Sequence, residues 1–135
     1  MNYLRACSLS VQWIMRFLHF VQKQLKSFQH AFKGMLLLFR EEPNARIHLV
    51  AMLGAFLLGG ILGIKAWEWT AIVLASGLVL GAEALNTALE KMADLLVPGS
   101  DERIRRIKDL GAGTVLIAAI AASVIALLIF LPYFL

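Results

Sequence analysis

Residues 69–97 read WTAIVLASGLVLGAEALNTALEKMADLLV, and this stretch decides the fold because four polar side chains interrupt a sequence otherwise apolar enough for a membrane span. Glu83, Asn86, Glu90 and Asp94 follow one another at intervals of three, four and four residues. At about 100° per residue they lie within roughly 80° of arc, so they form one polar stripe on a single helix face. Ionisable side chains are costly in hydrocarbon, and we therefore expect the stripe to face protein, water or a cation.

The composition indicates a membrane protein. The chain has 135 residues, of which 60% are hydrophobic and 16% are charged, a balance too apolar for an ordinary soluble domain of this size. Residues 47–64 and 110–135 are also long and apolar enough to cross a hydrocarbon core of about 30 Å. We expect an all-α membrane protein with one domain over residues 1–135. Its parts are an amphipathic surface region at 1–41 and spans at 46–65, 68–97 and 109–135.

The distribution of basic residues predicts the orientation of the spans. Residues 1–46 hold seven of the 13 Lys and Arg side chains, residues 91–108 hold five more, and the connection at 65–68 holds one. Under the positive-inside rule, the N-terminus and the second loop are cytoplasmic, and the first loop and the C-terminus lie outside.

The first 40 residues are too polar for a span but have a regular pattern. Apolar side chains recur at intervals of three and four residues on one side, while basic side chains and histidines do the same on the opposite side. We interpret this segment as an amphipathic helix on the cytoplasmic membrane surface. A coiled-coil seam or a helix folded over the spans is the alternative. At Glu42-Pro43 the pattern stops, since the residue before a proline avoids the helical region, and we expect the chain to enter the membrane there.

The polar stripe and its surroundings offer the parts of a cation site. Seven residues separate Glu83 from Glu90, about 10 Å of helix rise, which places Glu83 deeper and Glu90 nearer the cytoplasmic interface. A deep, desolvated carboxylate suits proton abstraction, whereas an interfacial carboxylate beside water suits a hard cation such as Mg²⁺. Glu42 would lie at the same interfacial level as a second ligand, and Lys108 is placed to meet a nucleotide phosphate.

Structural explanations compete with these roles. Taken alone, Glu83 is explained as well by a buried hydrogen bond to a neighbouring helix, or by a proton relay, as by catalysis. Glu90 and Asp94 would ordinarily be a solvated helix end or the partners of Lys91 or Arg103. From the residues alone, the sequence predicts a small polytopic protein with an interfacial cation site.

The polar residues also match a known pattern. Glu83-Ala-Leu-Asn-Thr-Ala-Leu-Glu90, followed after a short loop by Lys108-Asp-Leu-Gly-Ala-Gly113, closely resembles the signature of the small prokaryotic diacylglycerol kinase and undecaprenol kinase family. Residues 28–34 (FQHAFKG) and 42–48 (EPNARIH) are similar to that family's surface helix and first-span entry, so the resemblance covers residues 23–134. It implies a homotrimer of three-span subunits with an N-terminal surface helix, in the bacterial cytoplasmic membrane.

The resemblance implies a role for each matching residue. Glu83 would be the general base that takes the proton of a lipid hydroxyl, and Glu42 and Glu90 would hold Mg²⁺ on the nucleotide. The remaining candidates support the site or bind the nucleotide and its phosphates: Asn86, Lys108, Asp109, Arg46 and, on the surface helix, Lys23 and His30.

The predicted reaction is direct transfer of the γ-phosphoryl group of ATP, with Mg²⁺ as cofactor, to the hydroxyl of a membrane lipid alcohol at the cytoplasmic face. Arg46-Ile-His48 and the ending Ile129-Phe-Leu-Pro132 resemble undecaprenol kinases more than diacylglycerol kinases, and this resemblance implies undecaprenol rather than diacylglycerol as the acceptor. No nucleic-acid partner is expected. A small proton-coupled exporter would also place a lone glutamate in a span, and a non-enzymatic membrane scaffold would tolerate its loss, so these are the alternatives.

Overall fold

The computed structural model describes the backbone of residues 2–97, 99 and 101–135, and the side chains of these residues apart from 2–14 and 17. Within this part of the chain the secondary structure is entirely helical. The elements are α1 (Asn2–Glu41), α2 (Pro43–Leu62), α3 (Ala66–Leu96), α4 (Glu102–Phe130) and a closing 3₁₀ turn (Leu131–Tyr133). The all-α class predicted from the sequence is confirmed.

The chain divides into two compact units, Met1–Leu37 and Leu38–Leu135. The first unit consists of α1 up to Leu37, so the segment with the amphipathic pattern is helical throughout its described residues. Its attachment to a membrane surface stays a prediction. The second unit contains the end of α1 and all of α2, α3 and α4.

Among the described residues, three helices are long and apolar enough to cross a membrane, namely Pro43–Leu62, Ala66–Leu96 and Glu102–Tyr133. This finding agrees with the three spans expected from the hydrophobic runs, and the chain is a membrane protein. Within the second unit α3 packs mainly against α4 and less extensively against α2. The long polar-striped helix is therefore the central element of the fold.

Local sequence signals determine where the spanning helices begin and end. Glu42 is extended (φ −101°, ψ 113°) and Pro43 follows as the first residue of α2, a position where proline needs no backbone donor. Gly63 closes α2 in the left-handed region with φ 64°, as a glycine after a helix end commonly does. Asp101 caps α4 by accepting the Arg103 N–H at 2.8 Å. Hydrogen bonds from the Arg103 side chain and backbone hold the pKa of Asp101 below its usual value.

A buried carboxylate, Glu68, joins two chain segments at the end of the second unit opposite Glu42. Glu68 is only 6% exposed, and its Oε2 accepts the Lys65 N–H at 2.6 Å and the Tyr133 hydroxyl at 2.7 Å. The first turn of α3 is thereby tied to the C-terminal 3₁₀ turn. A small apolar core of Ile64, Ile72, Ile129 and Phe130 lies in the same region.

Three hydroxyl groups within the spans are hydrogen-bonded inside their own helices. Thr70 donates to the carbonyl of Ala66 at 3.1 Å, Thr114 to that of Leu110 at 3.1 Å, and Ser123 to that of Ala119 at 2.8 Å. Each bond reaches back four residues, the pattern by which Ser and Thr remove a polar group from hydrocarbon without help from a neighbour.

Candidate active site

Glu83 lies on the buried face of α3. The buried residues of this helix include Ile72, Ala75, Val79, Glu83 and Thr87, whose spacing places them along one side. Glu83 is 2% exposed, so protein rather than lipid covers the carboxylate. This is the arrangement expected of an ionisable side chain inside a span.

Three titratable side chains lie within electrostatic range of Glu83, namely Glu42, Glu90 and His48. Glu42 comes from the start of α2 and Glu90 from two turns further along α3. Two of the carboxylates that the sequence singled out therefore lie in the same region as Glu83, while the roles of all three stay predictions. No hydrogen bond joins Glu83 to another of the described side chains, so its oxygens keep free lone pairs.

Glu90 is oriented by Asn86. The Asn86 Nδ2 group donates to Glu90 Oε1 at 2.8 Å, the contact that an interval of four residues on a helix allows. An ionised carboxylate only accepts hydrogen bonds, so the amide must turn its NH₂ group toward Glu90 and its oxygen away. That oxygen, Asn86 Oδ1, is buried and has no hydrogen-bond partner among the described residues.

Glu42 lies at the junction between α1 and α2. It occupies the N-cap position of α2, but its side chain makes no capping hydrogen bond. Lys91 pairs with the neighbouring Glu41 and lies 3.9 Å from Glu42 Oε1. The ammonium group therefore ties the two acidic residues before Pro43 to the end of α3.

The donor set suits a hard cation. Mg²⁺ prefers oxygen ligands and commonly takes only one or two protein carboxylates, leaving its other positions to water and phosphate. Glu42, with no cap to make, and Glu90, oriented by Asn86, fit that requirement. No cluster of three or more His, Cys, Asp or Glu side chains suited to holding a metal occurs in the part of the chain that is described. A cage built wholly from protein ligands is therefore not the arrangement found there.

Lys108 lies half-buried in the first part of α4, where it pairs with Asp94 of α3. The two residues line an open cleft of about 450 Å³ with Gly99, Asp101, Glu102, Ile104 and Arg105. An ammonium group has three donors, so the pairing with Asp94 leaves Lys108 able to bind a second oxygen group. Asp109 is exposed, and Arg105 Nη1 lies 3.5 Å from its Oδ2.

The other predicted residues are less constrained. Arg46 lies one turn into α2, and its backbone N–H reaches the carbonyl of Glu42 at 3.4 Å. Lys23 and His30 belong to α1 within the first unit. The roles assigned to these three residues stay predictions.

A cavity of about 170 Å³ lies among α2, α3 and α4. Val79, one turn before Glu83, and His48 both line it, and most of the remaining lining is alanine, with Ser76 and Ser123 as polar members. The cavity one helix turn from Glu83 is therefore mainly apolar.

Some contacts at this end of the fold were not predicted. The structural alternative for Glu90 and Asp94 was a solvated helix end or a salt bridge with Lys91 or Arg103. In the structure Lys91 reaches Glu41 and Glu42, Arg103 pairs with Asp101, and Asp94 pairs with Lys108. The sequence shows that Lys91 lies beside Glu90. It does not show the partners of Lys91, because Glu41 and Glu42 precede Lys91 by about 50 positions.

A protein-family model and three related proteins indicate the same family for this chain. The family model described as prokaryotic diacylglycerol kinase matches residues 29–130. The chain is 36% identical over 107 residues to an undecaprenol kinase of Bacillus subtilis, covering 79% of this chain and 87% of that protein. It is 38% identical over 109 residues to a diacylglycerol kinase of Synechocystis, covering 80% of this chain and 62% of that protein. A diacylglycerol kinase of Sinorhizobium is 31% identical over 85 residues, or 63% of this chain and 62% of that protein.

Proposed function

Because the chain belongs to the prokaryotic diacylglycerol kinase family and is a lipid kinase, we propose that it transfers the γ-phosphoryl group of ATP to the hydroxyl of a membrane lipid alcohol at the cytoplasmic face. The observation that carries this proposal is the buried carboxylate of Glu83, with Glu42 and Glu90 within electrostatic range of it. Phosphoryl transfer asks a protein mainly to position donor and acceptor and to neutralise charge, which so few side chains can do.

Glu83 is the proposed general base. The attacking oxygen of a lipid hydroxyl must lose its proton, and a carboxylate with free lone pairs in a water-poor site can accept it. The cavity one turn away is lined mainly by alanine, which suits an acceptor that is hydrocarbon beyond its hydroxyl group. These features support a base that serves a lipid rather than a water-soluble alcohol.

Glu42 and Glu90 are the proposed ligands of Mg²⁺, with Asn86 orienting Glu90 and Arg46 supporting Glu42. When bound, the cation would supply positive charge against the phosphates of the nucleotide. Lys91, the residue after Glu90, lies 3.9 Å from Glu42 Oε1, so the start of α2 lies near the part of α3 that carries Glu90.

Lys108 and Asp109 are the proposed contacts to the phosphates and the nucleotide. The cleft beside Lys108 is open and contains a second basic residue, Arg105. Lys23 and His30 on α1 are proposed to contribute to the same nucleotide. Their basic side chains would favour a polyanion.

Undecaprenol is the proposed acceptor in preference to diacylglycerol. The identities to relatives named for the two lipids are nearly equal, at 36% and 38%. The undecaprenol kinase is matched over 87% of its length and the Synechocystis diacylglycerol kinase over 62%. The resemblance of Arg46-Ile-His48 to undecaprenol kinases also supports undecaprenol as the acceptor.

We also propose a homotrimer in the bacterial cytoplasmic membrane, with the N-terminus inside. Of the most apolar window of α2, only 11% is buried within one chain, so much of its surface is available to lipid or to other subunits. Small residues on the spans allow close helix approach. Most basic side chains lie at the end of the spans that carries Glu42, which supports a cytoplasmic location for that end.

Mg²⁺-dependent ATP consumption by the detergent-solubilised protein tests the function directly. We expect consumption to require a lipid alcohol, to stop with EDTA, and to produce a phosphorylated lipid. ATP turnover that is indifferent to added lipid, or an absence of phosphorylated lipid, would contradict the proposal. Glycerol in place of the lipid alcohol is the matched control, because it offers primary hydroxyls without a hydrocarbon chain.

A further inference from the structure

Gly111 of α4 packs directly against the amide of Asn86 on α3. A Cβ atom at position 111 would overlap Asn86 Oδ1 and lie 3.4 Å from Asn86 Cγ, with Leu89 Cδ2 next at 3.9 Å. The close approach is therefore to one side chain, and specifically to the oxygen of its amide. Any side chain larger than hydrogen would have to displace that oxygen.

The orientation of the amide explains why the oxygen is there. Asn86 uses its NH₂ group to hold Glu90 Oε1 at 2.8 Å, which forces Oδ1 to the opposite side, toward α4. Oδ1 is buried without a hydrogen-bond partner among the described residues, so no bond holds it in place. Its position is set by the bond that Nδ2 makes to Glu90 and by the space that Gly111 leaves.

We propose that Gly111 is a positioning residue for Glu90, acting through Asn86. By lacking a side chain, it lets the Asn86 amide lie flat against α4 while its NH₂ group points at the carboxylate. The inference rests on the proposed function, in which Glu90 is a ligand of Mg²⁺. It adds a position on α4 to the positions on α2 and α3 that are proposed to shape the cation site.

The substitution Gly111→Ala should act on the amide rather than on the fold. The atom in the way is the end of a side chain, which can rotate, and alanine is a better helix former than glycine. The helix pair can therefore persist while the bond from Asn86 to Glu90 is lost. Changes to groups that orient a metal ligand typically cost about 10- to 100-fold in metal affinity or activity, and we expect about tenfold here.

Gly113→Ala is the matched control. It lies two residues along the same helix, and a Cβ atom there has no heavy atom within 4 Å. We expect Gly111→Ala, but not Gly113→Ala, to raise the Mg²⁺ concentration for half-maximal activity and to weaken Mn²⁺ binding measured by electron paramagnetic resonance without nucleotide. Thermal unfolding should be similar in both variants. Equal effects of the two substitutions on cation binding would overturn the inference.

A double-mutant cycle with Asn86→Ala tests whether Gly111 acts on Glu90 through the Asn86 amide. If Gly111 acts through the Asn86 amide, Gly111→Ala should cause no further loss of Mn²⁺ affinity in the Asn86→Ala background. Additive losses would mean that Gly111 acts by another route, and would refute the positioning role.

A signal that needs no cation separates this inference from the proposed function. The NMR resonances of the Asn86 side-chain NH₂ group should shift in Gly111→Ala and stay in place in Gly113→Ala. If wild-type protein phosphorylated no lipid but the shift occurred, the proposed function would fail and the contact from Gly111 to Asn86 would stand. An active wild type with unshifted resonances in Gly111→Ala would reject the positioning role alone.

Discussion

In a Glu83→Gln variant we expect kcat/KM for lipid phosphorylation to fall by about 10² to 10⁴, the usual loss when a general base is removed. At about 1.36 kcal/mol per tenfold, this is about 2.7 to 5.4 kcal/mol in the activation free energy. The glutamine amide has nearly the same shape as the carboxylate but cannot accept the proton of the hydroxyl. No hydrogen bond joins Glu83 to another described side chain, so the variant loses no partner inside the protein.

Glu68→Gln is the matched control for this experiment. Both glutamates are buried on α3, and they lie fifteen residues, about 22 Å of helix, apart. Glu68 accepts hydrogen bonds from Lys65 and Tyr133, so its substitution should lower the midpoint of thermal unfolding. Activity per folded molecule should change little, because Glu68 is far from the carboxylate group around Glu83.

The assay measures phosphorylated lipid formed in mixed micelles at saturating Mg²⁺, together with thermal unfolding of each variant in the same detergent. The expected pattern is crossed: Glu83→Gln loses activity and keeps its stability, while Glu68→Gln does the reverse. A Glu83→Gln variant with turnover within about threefold of wild type would refute the general-base role. Equal losses of activity in both variants would indicate that Glu83 matters for folding rather than chemistry.

Three further predictions concern the cation, the acceptor and the assembly. Glu42→Gln and Glu90→Gln should each raise the Mg²⁺ concentration needed for activity, and their effects should be non-additive because ligands of one cation act as a unit; additive losses at unchanged Mg²⁺ dependence would contradict a shared site. In mixed micelles containing both lipids, undecaprenol should have the higher kcat/KM, and a preference for diacylglycerol would reverse that assignment. Mixing inactive Glu83→Gln subunits with inactive Lys108→Ala subunits should restore part of the activity if each site is completed by a neighbouring chain. Cross-linking should then detect a trimer, and a fully active monomer would exclude the shared site.

The spans and the polar stripe could be predicted because both depend on local sequence. Long apolar runs specify helices that can cross a membrane, and intervals of three and four residues place side chains on one helix face. The burial of Glu83 and the hydrogen bond from Asn86 to Glu90 follow from the same periodicity. The catalytic and metal-binding roles of these residues stay predictions.

Contacts between distant segments could not be predicted in the same way. The partners of Lys91 and Lys108 depend on how the helices dock, and several acidic residues were equally plausible in the sequence. Surface ion pairs are also individually weak, so the local sequence gives no strong preference for one ion-pair partner over another. Nothing in the sequence distinguishes Gly111 from the other small residues of the spans, since only the docked helices reveal the Asn86 amide opposite it.

The start of α4 has a different explanation. Hydrophobicity placed the third span at residues 109–135, whereas the helix begins at Glu102. Residues 102–108 are too charged to be recognised as part of a span. They are helical because Asp101 caps the first turn and Glu102 pairs with Arg105 and Arg106 at helical intervals.

The internal hydrogen bonds of Thr70, Thr114 and Ser123 affect how freely the spans can change in evolution. A hydroxyl that is already bonded to its own helix does not hold that helix to its neighbour, so its exchange for a methyl group removes no interhelical bond. Where these three hydroxyls lie, the helices pack through shape, with small buried residues such as Ala75 and Ala118. Homologues should therefore gain and lose hydroxyl groups freely along these spans, while side-chain volume at the small buried positions should drift far less.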